Sequence, residues 1–372
     1  MLHISSKLNQ LHEKIRSLPR LEVKNLSRSF GNLTVVDQIS FQISPGQVTC
    51  LLGPSGCGKS TTLRMIAGVE TPSAGQVFVD GELTSSVSFQ VPPESRSIGL
   101  MFQDFALFPH LTVQQNVYFG LAGSKEFKQE RSVDLLEKVS LTHLALHYPH
   151  SLSGGEQQRI ALIRALAPKP KIMLMDEPFS GLDDRLRDEI RDETFDLLRS
   201  EDTAVLMVTH DPQEAMKVAD EIALMRDGKI LQIGAPYNIY NTPVDLKAVQ
   251  FFSDANAIQA TLKGSLADTP FGQFFAPGLT NGTDIDIVFR PQHVRIDFDR
   301  KGRGPLPTAS QGIAARGIVK RARFVGNESL IEFEMDFGQS IKASVPNVFL
   351  PNSGHPLWLT VPRDKCYIFP KT

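Results

Sequence analysis

One short stretch constrains this chain more than any other: Gly53-Pro54-Ser55-Gly56-Cys57-Gly58-Lys59-Ser60-Thr61 satisfies GxxxxGK[ST]. The apolar run Val48 to Leu52 precedes it and a helix-like segment, Thr62 to Ala67, follows, giving the order strand, glycine loop, helix. Glycines let the backbone turn its N–H groups inward, and the following helix adds the positive end of its dipole. The loop is therefore a cradle for phosphates. Lys59 would reach the β- and γ-phosphates of a nucleotide, and the Ser60 hydroxyl would ligate a bridging Mg²⁺.

At 372 residues and 41% hydrophobic content the chain can bury more than one core. A net charge of -2 gives no general pull toward nucleic acid or anionic lipid, so partners must be recognised locally. Cys50, Cys57 and Cys366 are odd in number and widely spaced, and one lies in the phosphate loop, which argues against a disulfide framework and for a cytosolic setting. Residues 1–20 carry Lys7, Glu13, Lys14 and Arg16 without a continuous apolar core, unlike a signal peptide. They are expected to be an N-terminal extension with weak helical spacing. No apolar run approaches a membrane span, so any link to a membrane is expected through a partner.

Leu33 to Val36, Ile39 to Ile43, Gln76 to Val79 and Ile98 to Phe102 have the pattern of short strands, the last ending at Gln103. Phe30, at a turn, is either core or an adenine-stacking aromatic. Helical spacing over Leu111 to Leu121 and Arg131 to Leu146, interrupted by the polar Ser124 to Glu130, predicts a helical insertion. The apolar cluster Phe105 to Leu111 suits buried core by itself. Ser153 with Glu156 forms a capping box, and Gly154-Gly155 leaves that helix start bare, a second anion site.

Lys171 to Pro178 has the character of a parallel strand buried on both faces and ending in carboxylates. Asp176 would hold Mg²⁺, and Glu177 would orient the attacking water and accept its proton. Ser180-Gly181-Leu182-Asp183 turns into a charged helix. Ala204 to Val208 is a further buried strand, delivering Thr209-His210-Asp211 to the same edge, where His210 can bond a γ-phosphate or the water. His143, His147 and His150 lack the cysteine or paired carboxylate of a metal site. Beyond the hairpin Ile222 to Ile233 and a helix reaching Phe252, the chain alternates as an all-β domain divided by the loop Lys301 to Pro307.

Together these motifs resemble the ATP-binding subunits of ABC transporters over residues 21–245: the phosphate loop, Q-loop Gln103, signature Leu152 to Gln157, Asp176 with Glu177, D-loop Asp183 and switch His210 stand in family order. The resemblance implies an α/β fold, a P-loop ATPase core with an antiparallel β subdomain and a helical subdomain at about 104–165. It also implies ATP with Mg²⁺ at Ser60, Gln103 and Asp176, an adenine-stacking Phe30, and a head-to-tail homodimer in which Ser153, Gly154, Gly155 and Glu156 meet the partner's ATP. Residues 104–120 would then touch a membrane subunit, which reverses the core reading of the Phe105 to Leu111 cluster. Glu156 replaces the usual glutamine of the signature and Gly181 a common alanine; neither change removes a phosphate ligand.

Residues 246–372, including Phe289 to Val294, resemble the oligonucleotide-fold-like appendage of importer ATPases for sugars, polyamines, sulfate and ferric ion. The Ile98 to Pro109 context looks most like the ferric-ion importers. The partners implied are a homodimer, two membrane-spanning permease subunits and a periplasmic or extracellular solute-binding protein, with the chain peripheral on the cytoplasmic face of the inner membrane. A soluble ATPase of the same class acting on nucleic acid or ribosomes is the contrasting reading; the single cassette and lack of basic excess count against it. The C-terminal domain is expected to be regulatory. Cys57, inside the loop, is expected to make ATP binding sensitive to thiol alkylation.

Overall fold

The computed structural model describes residues 18–371 apart from 183, 299–301, 309 and 311, and gives only the backbone of 184–186. Most of the N-terminal extension, and Asp183, therefore lie outside the described residues. The chain divides into two compact units, the first ending at Asn241 and the second beginning at Thr242.

In the first unit β1 (Leu21–Phe30) and β2 (Leu33–Ile43) form a hairpin, and β3 (Val48–Leu52) leads through the phosphate loop into α1 (Lys59–Ala67). Next come β4 (Ala74–Val79), β5 (Glu82–Ser85) and β6 (Ile98–Met101), then α2 (Val113–Tyr118), α3 (Lys125–Lys138) and α4 (Gly154–Leu166). The unit continues with β7 (Ile172–Asp176), α5 (Asp184–Ser200), β8 (Ala204–Thr209), α6 (Pro212–Val218), β9 (Glu221–Arg226), β10 (Lys229–Gly234) and α7 (Pro236–Asn241).

A six-stranded sheet runs β10-β9-β3-β8-β7-β6, parallel except for β10. Its central strands are covered on both faces, which is why β3 and β8 are apolar or Thr at every position. Leu63 and Ile66 of α1 pack with Leu174 and Leu206 of this sheet and with Leu21, Val23 and Leu26 of the antiparallel sheet β2-β1-β4-β5 in one core. Register decides what meets at the edge. Leu52 pairs with Thr209 and Asp176 with Val208, so the phosphate loop, Glu177 and His210 all leave the sheet at the same end.

Two sequence expectations change. Leu33 to Val36 and Ile39 to Ile43 are one strand, because Gln38, at φ 50°, donates its N–H to Ser27 Oγ across a shift in register. The polar segment Ser124 to Glu130, read as a break, is mostly the first half of α3: Ser124 caps it by accepting from the N–H of Phe127. Exposure, not lack of helix, explains its polarity. The helices pack around their own core of Val113, Val117, Leu135, Leu136, Ile160 and Ile163.

The second unit opens with α8 (Leu246–Phe252) and is otherwise β. Its strands are β11 (Asn256–Lys263), β12 (Leu266–Thr269), β13 (Gly272–Phe275), β14 (Asp284–Phe289), β15 (Arg295–Phe298), β16 (Ala315–Phe324), β17 (Glu328–Met335), β18 (Ser340–Pro346), β19 (Pro356–Thr360) and β20 (Cys366–Pro370). They form antiparallel sheets ordered β13-β12-β11-β14-β20 and β15-β19-β16-β17-β18. Ile287 and Phe289 of one sheet share a core with Ile331, Phe333 and Leu357 of the other. The alternation read in Ile331 to Met335 is the alternation of core and solvent along β17.

Candidate active site

The phosphate loop leaves β3 through positions that only glycine tolerates. A Cβ on Gly53 would lie 2.1 Å from the Met225 carbonyl oxygen, and one on Gly58, at φ +105°, 2.5 Å from that of Val35. The second contact also places β2 over the loop. Lys59 is buried and its Nζ donates to the carbonyls of Gly53 at 2.8 Å and Pro54 at 3.0 Å, so the ammonium lies inside its own loop. Gly56, Ser60 and Thr61 follow in the same turn into α1, with Ser55 exposed at its rim.

Ser60 Oγ donates to Asp176 Oδ1 at 2.9 Å, joining the start of α1 to the end of β7. Burial pushes the Asp176 carboxyl up and Glu177 adds to this, against the Ser60 bond and the charges of Arg64 and Lys59. A hydroxyl beside a carboxylate is a pair of hard oxygen donors, the chemistry Mg²⁺ takes. Glu177 stands at φ +46°, left-handed for a residue with a side chain, with its N–H bonded to Val208 O at 2.9 Å. Its Oε1 lies 2.9 Å from His210 Nδ1. Thus the structure brings Ser60, Asp176, Glu177 and His210 to one edge.

Other expected residues stand apart. Gln103 is exposed beyond β6 and shares no hydrogen bond with Ser60 or Asp176. Phe30 is half-exposed at the end of β1, with the Arg28 guanidinium carbon 4.4 Å from its ring centroid. At α4 the capping box is closed: Ser153 N–H and Oγ both donate to Glu156 Oε2, at 2.7 and 2.8 Å. These bonds hold the Glu156 carboxyl below its usual range. The bare Gly154-Gly155 start shares none of these bonds with the phosphate loop of its own chain.

Burial counts against the expected reactivity of Cys57: the residue is only 6% exposed, and burial raises its thiol pKa despite Lys59 nearby. The sequence reading also missed Glu214. This buried carboxylate accepts from the Thr209 hydroxyl, which accepts from the Asp211 N–H at 3.0 Å, bracing the turn that carries His210. The signal was present as Asp211-Pro212-Gln213-Glu214, a capping-box spacing. Among the described residues no cluster suits a metal held by His, Cys, Asp and Glu alone.

A phosphate loop facing a carboxylate and a carboxylate–histidine pair at a parallel-sheet edge defines a P-loop ATPase. Comparison with known proteins narrows this. Residues 36–180 match the ABC transporter family model and residues 287–369 the TOBE domain. The putrescine transport ATP-binding protein PotG of Escherichia coli K12 is 40% identical over 91% of this chain and 91% of its own length. The Fe(3+) ions import ATP-binding protein FbpC of Serratia marcescens is 42% identical over 83% of the chain and 94% of that relative. The dimeric post-hydrolysis structure of the ATP-binding cassette MJ0796 with ADP and Pi superposes at TM-score 0.51 and 31% identity, covering 58% of this chain and 98% of that one. The chain belongs to the ATP-binding subunits of ABC importers.

Proposed function

We propose that this chain forms a head-to-tail homodimer that hydrolyses ATP at two equivalent sites to drive solute uptake. The carrying observation is the Glu177–His210 pair set beside Ser60 and Asp176. Gly53 to Thr61, with Lys59 at its centre, holds the nucleotide phosphates, and Phe30 stacks on adenine with its ring still half-exposed. Ser60, Asp176 and Gln103 would hold Mg²⁺, which supplies neutralisation of phosphate charge. Glu177 accepts a proton from the attacking water as its oxygen bonds the γ-phosphorus and the bond to the β-γ bridging oxygen breaks, giving ADP and phosphate. His210 orients that carboxylate.

Ser153 to Glu156 opens α4 with a glycine pair bare of side chains at a helix N-terminus, which supports its serving the ATP of a second copy. Among the described residues no helix is long and apolar enough to cross a membrane. Attachment to the cytoplasmic face of the inner membrane is assigned to two permease subunits, met through residues 104–120. Phe108 and Phe119 pack there as a tilted ring pair with centroids 4.4 Å apart, and Phe119 is 59% exposed. A periplasmic or extracellular binding protein delivers the solute, and the second unit is regulatory. We favour ferric ion as cargo, from the S. marcescens relative; the wider coverage by PotG supports putrescine as the second reading.

The test is to trap a tagged Glu177→Gln chain with ATP and Mg²⁺ in its native cell and identify what co-purifies. Two permeases and a solute-binding protein are expected, and that protein's ligand names the cargo. Recovery with soluble partners only overturns the importer reading.

A further inference from the structure

A cavity of about 560 Å³ lies wholly within the second unit, between β16, β17 and β18 and the turn holding Pro291 and Gln292. Two buried polar side chains fix its walls. Arg290, with no exposure, donates from Nε to Ser253 Oγ at 2.9 Å and from Nη1 to Tyr367 OH at 2.7 Å, setting both the Ser253 wall and the turn it precedes. Asn256 grips the backbone of Lys342 twice, accepting its N–H and donating to its carbonyl, both at 2.8 Å. A wall built this way keeps its shape when empty.

The lining carries three cations and three carboxylates, so it exerts no net pull on ions of either sign. The carboxylates are engaged: Asp254 pairs with Lys342 at 3.0 Å, Glu332 accepts from Ser340 at 3.0 Å, and Glu328 accepts from Ser344. Arg321 and Arg323 are different. Among the described residues neither guanidinium has an ion pair or hydrogen bond, although Arg321 stands opposite Glu332 in the register. Two residues apart on β16, they share a face at a spacing of about 7 Å. Leu330 and Pro291 add an apolar surface.

We propose that this cavity binds a small organic dianion, a dicarboxylate or an organic phosphate, with Arg321 and Arg323 as paired anchors. Each planar fork matches one carboxylate or one edge of a phosphate, and the apolar surface takes the carbon body between or beside them. Lys342 is already neutralised by Asp254 and holds the wall. The site deepens the regulatory reading of this unit, yet its test reads binding alone and does not depend on transport.

The full chain, with ADP and Mg²⁺ saturating the phosphate loop, is titrated calorimetrically with succinate, phenyl phosphate and putrescine. Succinate or phenyl phosphate is expected to bind once per chain, and the stronger of the two identifies the anion class. The R321Q/R323Q variant should bind it at least about tenfold more weakly, with melting temperature and ATPase rate unchanged. R321K/R323K, keeping charge without the fork, should fall between. Absence of heat with both anions at millimolar concentration, equal binding by R321Q/R323Q, or binding of putrescine alone overturns the proposal.

Discussion

Glu177 and His210 are hydrogen-bonded at 2.9 Å although 33 residues separate them, because β7 and β8 are parallel neighbours whose ends fall level. The carboxylate is mostly shielded while the imidazole is half-exposed, so the pair meets solvent from the histidine side. Glu177→Gln removes the proposed proton acceptor and keeps the shape. Hydrolysis should fall on the order of 10²–10⁴-fold with ATP affinity retained, measured by phosphate release and by nucleotide titration. Turnover near that of the parent chain would remove Glu177 from the mechanism.

All three thiols are held neutral by burial: Cys50 and Cys57 are raised, and Cys366 is pushed up to about 12. At neutral pH the folded chain should therefore release less than one equivalent of thionitrobenzoate within minutes from a disulfide reagent, and three equivalents after denaturation. Rapid modification of Cys57 in the folded chain, with loss of ATP binding, would restore the alkylation sensitivity that its place in the loop suggested.

Residues whose chemistry is fixed by chain neighbours were legible in the sequence. The phosphate loop, the Ser153–Glu156 box and the carboxylates ending β7 all depend on contiguous spacing, and each stands in the expected element. What spacing does not encode is burial and long-range partnership. The exposure of Cys57, the Thr209–Glu214 bond and the hold of Arg164 on a loop nearly sixty residues earlier depend on how helices pack on the sheet. The same limit concealed the helix within Ser124 to Glu130, since a solvent-facing turn carries no apolar period.

Glu214 gives a pH prediction with a definite sign. Burial, with Asp211 adding, pushes its carboxyl above the ordinary 4.5, against the Thr209 bond and the charges of Arg187 and Arg191. A raised carboxyl contributes stability in full below its unfolded value and loses it as pH rises through the folded one. Glu214→Gln stays neutral and can still accept from Thr209. Relative to the parent, it should gain stability as pH rises from roughly 4 to 8, seen as a diverging urea midpoint. A constant difference across that range would show that Glu214 titrates normally.

Arg164 ties α4, the helix that begins at the signature, to the loop after Gln103. It donates to the carbonyls of Ala106 at 2.6 Å and Phe105 at 2.9 Å, and its guanidinium carbon lies 5.5 Å from the Phe108 ring centroid. Phe105 and Ala106 both have positive φ, 60° and 46°, a conformation that costs free energy in residues with side chains and needs outside support. Asn116 supplies the rest, accepting from Phe108 N–H and donating to the carbonyls of Phe108 and Leu111. Arg164→Ala should destabilise the first unit by about 1–3 kcal/mol and speed amide exchange over residues 103–111, while Arg164→Lys, with charge but no fork, recovers part of both. Because the loop and not the phosphate site loosens, ATP affinity should hold while transport per ATP hydrolysed falls. Unchanged exchange over 103–111 in the alanine variant would show that the left-handed pair is held by its own backbone, and that Arg164 does not link signature to loop.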